Sequence, residues 1–279
     1  RFPFTAGLDY RAVYTPRTGA KLELKFTLPK QQAAATTAVD HVYPSSDKLP
    51  ENQLKFYLHF SASMSRGQAY SHIRLLDENG KRVEQPFLEL EDELWDPASR
   101  RFTLFIHPGR IKRGLKPREE LGPALVQGKR YTLLIDSAWS DAEGNPLQKE
   151  FRKEFVVGPP DETQPDPKGW KLEAPGSGRA PLIVRLPKPL DHALLNRLLW
   201  VVDAAGTRSA GRIQISGGET VWSFLPEQPW KIGEYKLVID TALEDLAGNS
   251  IARPFEVDEF HTVQKEVKAK TVELPFVVR

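Results

Sequence analysis

Residues 131–147 read YTLLIDSAWSDAEGNPL, and residues 235–251 read YKLVIDTALEDLAGNSI. Eight of these 17 aligned positions are identical, including the Tyr that opens each stretch and the Asp-x-x-Gly-Asn near its end. Self-similarity at a fixed spacing indicates a duplicated structural unit. A chain of 279 residues is long enough for two domains of roughly 100–150 residues each. The sequence therefore predicts that the same unit is present twice.

The matched segments have the two-residue periodicity of β-strands. In the stretch 54–61, LKFYLHFS, apolar Leu54, Phe56, Leu58 and Phe60 alternate with Lys55, Tyr57, His59 and Ser61. This alternation predicts one face packed on a core and one face in solvent. Gly- and Asn-containing turn signals separate such runs. Short strands with this turn spacing predict an all-β, antiparallel sandwich. Only the stretch 191–199 indicates a helical turn.

The stretch 43–64, YPSSDKLPENQLKFYLHFSASM, resembles the opening of bacterial immunoglobulin-like domains of surface-layer and secreted proteins, the SbsA-type repeats. The Asp77-x-x-Gly80 and Asp141-x-x-Gly144-Asn145 motifs add to the resemblance. The second copy departs from it, with Leu186-Pro187 where a Phe-Ser corner is expected. The resemblance covers about residues 39–258 and implies two tandem immunoglobulin-like (Ig-like) antiparallel β-sandwiches. It implies little about function, since such domains serve as spacers, adhesive modules and accessory domains.

The repeats also predict the domain boundaries. We expect Ig-like domains at 39–158 and 170–258, joined by a Pro-rich linker at 159–169. Residues 1–38 predict an N-terminal β-hairpin that resembles the back half of another copy. That hairpin is expected either to belong to a truncated upstream domain or to pair with the tail strand in 259–279. Because the chain starts at Arg1, we also expect that a signal peptide or an upstream domain has been removed, or that the sequence has been trimmed at this end.

Composition argues against several classes of function. The 39 basic and 37 acidic residues give a formal net charge of +2, so no overall field indicates nucleic acid as a partner. The chain contains no cysteine, which excludes disulfides and thiolate metal sites. No apolar run approaches the ~18 residues of a membrane span. We predict no catalytic residue, no cofactor and no metal site.

One insertion, at 108–128, occurs only in the first copy and is the strongest candidate for partner binding. Its basic side chains are Arg110, Lys112, Arg113, Lys116 and Arg118. Such a loop could hold an anionic polysaccharide through charge-assisted hydrogen bonds. The alternative is that the loop packs against the neighbouring domain, anchored by Ile111 and Leu115.

Trp139 completes the predicted partner-binding set. It aligns with Leu243, so it could be an exposed stacking platform or part of a domain junction. Two metal hypotheses are weaker. The Asp-x-x-Gly-Asn motifs could offer oxygens to Ca²⁺, although turn chemistry explains the same residues. A copper carrier resembling periplasmic sandwich proteins would use His41 or His59, without a Met-rich loop.

These observations favour a non-enzymatic module of a bacterial secreted, periplasmic or cell-surface protein, acting as a structural spacer, anchor or binding domain. Its partner would be an anionic polysaccharide or another envelope protein. The alternatives are an accessory domain pair of a larger secreted hydrolase and, third, a copper carrier. The sequence predicts no oligomeric state.

Overall fold

The computed structural model of the chain describes residues 8–27, 35–112, 114–255 and 269–279. Its main secondary structure is the β-strand. Its described part contains sixteen strands and four short α-helices. The prediction of an all-β fold made of Ig-like antiparallel sandwiches is confirmed. No helix in these ranges is long and apolar enough to cross a membrane.

The first strands form a separate antiparallel ribbon. Strand β1 (Asp9–Tyr14) pairs with β2 (Leu22–Thr27), and these two strands constitute a two-stranded sheet. A ribbon of two strands is only marginally stable alone in water.

Two sheets form the first domain. One contains β3 (Val39–Tyr43), β5 (Lys55–Phe60) and β7 (Arg101–Phe105), in that spatial order. The other contains β4 (Lys48–Pro50), β9 (Phe151–Gly158), β8 (Arg130–Ile135) and β6 (Ile73–Asp77). All neighbours are antiparallel except β4 and β9.

The core of the first domain lies between these sheets. Phe56 and Leu58 of β5 face inward and are fully buried together with Leu104 of β7, as the alternation predicts. The opposite sheet contributes Leu133 and Ile135 of β8. Burying each such side chain contributes about 1.5–3 kcal/mol to folding.

The second domain is also a sandwich of two sheets, with an additional edge strand in one sheet and no described counterpart of β4 in the other. One sheet has the order β10 (Lys171–Glu173), β11 (Leu182–Arg185), β14 (Val221–Pro226) and β13 (Gly211–Ser216). The other has the order β12 (Leu199–Asp203), β15 (Gly233–Asp240) and β16 (Thr271–Val278). A second hydrophobic cluster around Trp222 fills the space between them.

Strand β16 differs from its predicted role. It pairs along the whole of β15, from Asp240–Thr271 to Gly233–Val278, and does not pair with the N-terminal ribbon. It therefore occupies the place that β9 has beside β8 in the first domain. Val272 of β16 pairs with Ile239 as Phe151 of β9 pairs with Ile135, so Val272 takes the position equivalent to Phe151.

The helices are single turns between strands. They are α1 (Ala69–His72), α2 (Pro108–Ile111), α3 (Lys116–Leu121) and α4 (His192–Leu195). Helix α4 is the turn predicted near Asp191, whose side chain caps it by accepting a hydrogen bond from the Leu194 N–H. Helices α2 and α3 lie in the insertion that only the first domain carries.

Candidate functional site

The two Asp-x-x-Gly-Asn turns have nearly the same internal geometry. Asp141 Oδ1 accepts hydrogen bonds from the N–H groups of Glu143 at 3.0 Å and Asn145 at 2.9 Å. Asp245 Oδ1 accepts from Ala247 and Asn249 at 2.9 Å each. Such Asx turns use the carboxylate to close the loop on itself.

The described residues do not support the calcium or the copper hypothesis. The carboxylates of both Asx turns already accept several hydrogen bonds, whereas Ca²⁺ takes six to eight converging oxygens. Over the described ranges, no group of three or more His, Asp or Glu side chains is arranged to hold a metal ion.

The surroundings of the two turns differ. Residues 142–144 of the first domain are exposed, whereas residues 246–248 of the second are buried. Leu246 belongs to the hydrophobic cluster of the first domain, and its carbonyl accepts a hydrogen bond from the Leu54 N–H at 2.9 Å. A Cβ on Gly248 would lie 2.6 Å from Leu54 Cδ2. The turn of the second domain is therefore packed against the end of the first. We call this contact region the joint.

A buried ionic cluster joins the domains beside this turn. Lys55 Nζ lies 2.9 Å from Asp191 Oδ2 and 2.8 Å from Glu244 Oε2. The Tyr57 hydroxyl donates to Asp191 Oδ2 at 2.8 Å. The Lys55 side chain is 10% exposed and that of Asp191 is 1% exposed. Two strand side chains of the first domain thus meet a helix cap of the second.

The cluster determines which groups are charged. Burial is the largest single influence on the pKa of Lys55 and would lower it, but Asp191, Tyr57 and Glu244 together outweigh burial and raise that pKa above its ordinary value. Burial, followed by the negative charge of Asp191, raises the pKa of Tyr57. Lys55 therefore stays protonated and Tyr57 stays a neutral donor across the physiological pH range.

Aromatic and imidazole rings cover one side of the cluster. The Tyr43 ring stacks on the His192 ring with centroids 3.4 Å apart, and the His59 ring lies 6.4 Å from His192. Burial, then the neighbouring His192, lowers the pKa of His59 to about 4. A cavity between Lys55 and His192 measures about 10 Å³. That volume accommodates at most one water molecule.

Glu219 provides a further link to the first domain. Its carboxylate accepts a hydrogen bond from the Ser45 N–H at 2.9 Å and lies 3.6 Å from His192 Nδ1. Burial alone would raise the pKa of Glu219, but its contacts with His192 and Ser45 outweigh burial and lower it. Its backbone has φ +61°, a left-handed conformation that costs energy for a non-glycine residue.

The predicted linker is bonded to both domains. Asp161 exchanges two backbone hydrogen bonds with the Asn52 side-chain amide of the first domain, at 2.8 and 2.9 Å. The Asp161 carbonyl also accepts from Asn249 Nδ2 of the second domain at 2.9 Å. Lys188 Nζ bridges the carboxylates of Asp161 at 2.8 Å and Asp245 at 2.6 Å. The linker is therefore part of the joint rather than a free tether.

The structure does not gather the predicted basic loop into an anion-binding surface. The Arg110 side chain is buried, and its guanidinium donates to the carbonyls of Gly122 at 2.6 Å and Pro123 at 3.1 Å. Arg118 donates to the Ile111 carbonyl and lies 3.1 Å from Glu51.

The remaining basic residues of the insertion do not form one surface either. Lys112 Nζ sits 4.6 Å from the centre of the Phe255 ring, Lys116 is exposed, and Arg113 lies outside the described residues. Of the two predicted anchors, Ile111 is buried in the first domain and Leu115 is 42% exposed. Through Lys112 and Phe255, the loop contacts the segment that follows the turn of the second domain.

Trp139 is not an exposed platform. It is fully buried in the first core, stacked on His72 with ring centroids 5.8 Å apart. Its counterpart Leu243 is also fully buried. That apolar match was the signal for a core position, because a side chain that faces the interior in one copy faces it in the other.

Sequence reasoning missed the joint. Lys55, Tyr57 and His59 were expected on a solvent face, but Lys55 and Tyr57 are buried. The alternation correctly assigned them to the outer face of their sheet, and the second domain then covers that face. A tyrosine between a lysine and a histidine on an outer face was the available signal for a covered surface.

No family model and no curated protein matches the chain. Solved structures similar to it include the surface-layer protein SbsC, at 14% identity and a TM-score of 0.31, covering 73% of this chain and 23% of that one. Another is native α2-macroglobulin from Escherichia coli spanning domains MG0-NIE-MG1, at 11% identity and a TM-score of 0.29, covering 89% and 73%. A third is Down syndrome cell adhesion molecule, at 8% identity and a TM-score of 0.22, covering 97% and 30%. The chain spans about a quarter of the length of the surface-layer structure.

Proposed function

We propose that this chain is a non-enzymatic structural module in which two Ig-like domains are held at a fixed angle, serving as a rigid spacer or anchor. The observation that carries the proposal is the buried contact of Lys55 and Tyr57 with Asp191 across the joint. A flexible pair of domains would expose these groups to water each time the domains separated.

The energetics of the cluster support a fixed angle. Removing one partner of a buried ion pair costs about 3–5 kcal/mol, since the other charge is left buried and uncompensated. A partial opening that separates Lys55 from Asp191 meets a similar penalty unless water enters completely. Leu246 adds the burial of an apolar side chain in the other domain. The joint therefore favours one closed arrangement.

The location and partner extend this proposal. We place the module in a secreted, periplasmic or cell-surface protein, on the basis of its resemblance to SbsA-type Ig-like repeats. Another envelope protein is favoured over an anionic polysaccharide as partner, because Arg110 and Arg118 are bonded within the loop. The same joint would serve an accessory domain pair of a secreted hydrolase, which a catalytic domain in the same polypeptide would indicate.

The angle between the domains can be tested by double electron–electron resonance, which measures the distance between two spin labels. The chain has no cysteine, so exposed Lys81 and Gln228, one in each domain, can be replaced by cysteine and spin-labelled without background. We expect a single narrow distance distribution. Lys55→Met should broaden it, because Asp191 then lacks its buried cation.

The matched control is Lys236→Met, which removes an exposed lysine paired with Glu273 at 2.7 Å within the second domain. It should leave the distribution unchanged, since exposed ion pairs contribute about 0–1 kcal/mol. A broad distribution in the unsubstituted chain would refute the proposal, as would equal effects of the two substitutions.

A further inference from the structure

The N-terminal ribbon carries an apolar face of its own. Cross-strand pairing aligns Tyr10 with Phe26, Ala12 with Leu24, and Tyr14 with Leu22 on one side. The opposite side is polar apart from Val13; there Arg11 lies 2.7 Å from Glu23. The end of this face formed by Tyr14, Leu22 and Leu24 is exposed, with Tyr14 65% and Leu24 63% exposed.

Both complete domains contain an antiparallel strand pair with the same aromatic pairing. Tyr131 pairs with Phe155 and Tyr235 pairs with Phe276, as Tyr10 pairs with Phe26. In all three the rings are stacked, with centroids 6.0, 5.6 and 5.5 Å apart and planes inclined by 23°, 19° and 23°. A Gly precedes each tyrosine by two or three residues in the sequence.

The complete domains show what such a hairpin packs against. Positions equivalent to Ala12 and Tyr14 are Leu237 and Ile239 in the second domain, both fully buried under the facing sheet. Strand β8 lies between β6 and β9, and β15 lies between β12 and β16. In the described part of the chain, β1 has β2 as its one sheet neighbour. The ribbon thus corresponds to the β8–β9 and β15–β16 pairs, but the other strands of such a sandwich are not among those described beside it.

The free end of the first domain supports the same conclusion. Thr37, just after the ribbon and its connector, donates to the Asp141 carboxylate at 2.7 Å. The linker also contacts the second turn, by different bonds: the Asp161 carbonyl accepts from Asn249 Nδ2 at 2.9 Å, and Lys188 bridges the carboxylates of Asp161 and Asp245. Residues 142–144 are exposed where residues 246–248 are buried against a preceding domain. The first domain therefore exposes the turn that, in the second domain, packs against the preceding domain.

We infer that β1 and β2 are the closing hairpin of a third Ig-like domain, and that the apolar face of the ribbon is covered by the facing sheet of that domain within the same polypeptide. This inference goes beyond the proposed function, because it concerns a different surface from the joint. The joint to the third domain would be more polar than the one described, with Ala142 and Glu143 in place of Leu246 and Ala247.

Hydrogen exchange measured by mass spectrometry tests the inference. The chain 1–279 is compared with a chain extended at its N-terminus by the residues encoded before Arg1. In chain 1–279 we expect the amides of β1 and β2 to exchange about 100-fold or more faster than those of β8 and β9, as a marginal hairpin should. In the extended chain they should exchange as slowly as β8 and β9.

Two variants of the extended chain distinguish packing from proximity. Leu24→Ser, on the apolar face, should restore fast exchange in the ribbon, whereas Lys25→Ser, on the opposite face, should not. The amides of β8 and β15 provide an internal control for folding, since neither substitution touches those domains.

Three results would overturn the inference: an encoded sequence without further strands, continued fast exchange in the extended chain, or slow exchange in chain 1–279 that depends on concentration. The last result would mean that a second copy covers the face. None of these outcomes affects the distance measurement across the joint, so the two proposals can fail separately.

Discussion

Asp191 is the residue on which the joint converges. Its carboxylate caps helix α4 through the Leu194 N–H at 2.9 Å, accepts from the Tyr57 hydroxyl, and pairs with Lys55. A buried carboxylate is tolerated when its lone pairs are satisfied by charged and neutral donors. Asp191 therefore connects local helix formation in one domain to the surface of the other.

Gly248 tests how tightly the joint is packed. Both Gly248 and its counterpart Gly144 have positive φ, +84° and +87°, so alanine at either position costs about 1–2 kcal/mol in backbone strain. Only at Gly248 would the new Cβ approach Leu54 Cδ2 to 2.6 Å; at Gly144 no heavy atom lies within 4 Å. We expect Gly248→Ala to destabilise the protein by about 1–3 kcal/mol more than Gly144→Ala. Urea unfolding of both variants measures the difference, and equal losses would contradict the described packing.

His59 predicts a pH dependence. Burial, His192, Arg101 and His41 lower its folded pKa to about 4, with Asp96 opposing them. The ordinary value is about 6.5, so between these values the unfolded chain binds more protons than the folded one. The free energy of unfolding should therefore be highest above about pH 6.5, where His59 is neutral in both states, and should decrease as the pH falls to 4. We expect a loss of about 1–2 kcal/mol after allowing for solvent screening at this half-buried ring.

The measurement is the free energy of unfolding of the native protein and of His59→Gln between pH 4 and 7. In His59→Gln the free energy of unfolding should decrease much less as the pH falls, because glutamine does not titrate. An identical pH profile in the two proteins would show that other groups cause the dependence.

At the scale of elements, the strands were predictable and the insertion was not. Tyr131, Leu133 and Ile135 occupy every second position of β8 because one face of the strand is buried, so the buried face can be recognised from the sequence. The sequence of the insertion reads as a solvated basic loop. The Arg110 guanidinium instead binds backbone carbonyls at the end of α3, and only three-dimensional closure of the loop creates those acceptors.

The candidate site was unpredictable for a related reason. The outer face of β5 becomes buried only when the second domain packs on it, and no periodicity within one strand encodes that contact. Strand β16 illustrates the same limit: residues 241–270 separate it in sequence from its neighbour β15, whereas only residues 136–150 separate β9 from β8. Local pattern thus predicts each sandwich, while contacts between distant segments determine the joint.

The insertion itself allows a prediction. Arg110→Met should destabilise the protein by about 3 kcal/mol or more, since several carbonyls lose a charged donor in a buried setting. Lys116→Met, in the same insertion but exposed, should change stability by less than about 0.5 kcal/mol. Thermal or urea unfolding compares the two, and comparable small effects would indicate that Arg110 is available for binding as the sequence suggested.

At the scale of the whole molecule, the joint couples two hydrophobic clusters. Leu246 belongs to the second domain in sequence but is buried in the cluster of the first. The linker residue Asp161 is hydrogen-bonded to Asn52 of one domain and Asn249 of the other. Unfolding of either domain therefore exposes buried groups of its neighbour, and this is the physical basis of cooperativity between domains.

We accordingly expect differential scanning calorimetry to show one cooperative transition for both domains. Leu246→Asp should split it into two, because a carboxylate cannot remain buried in the first cluster without a partner and the domains would separate. Leu225→Asp is the matched control, since Leu225 is 46% exposed on β14 away from the joint, and it should keep a single transition. Two transitions in the unsubstituted protein would mean that the contacts of Asp191, Leu246 and Asp161 are too weak to make the pair of sandwiches behave as one body.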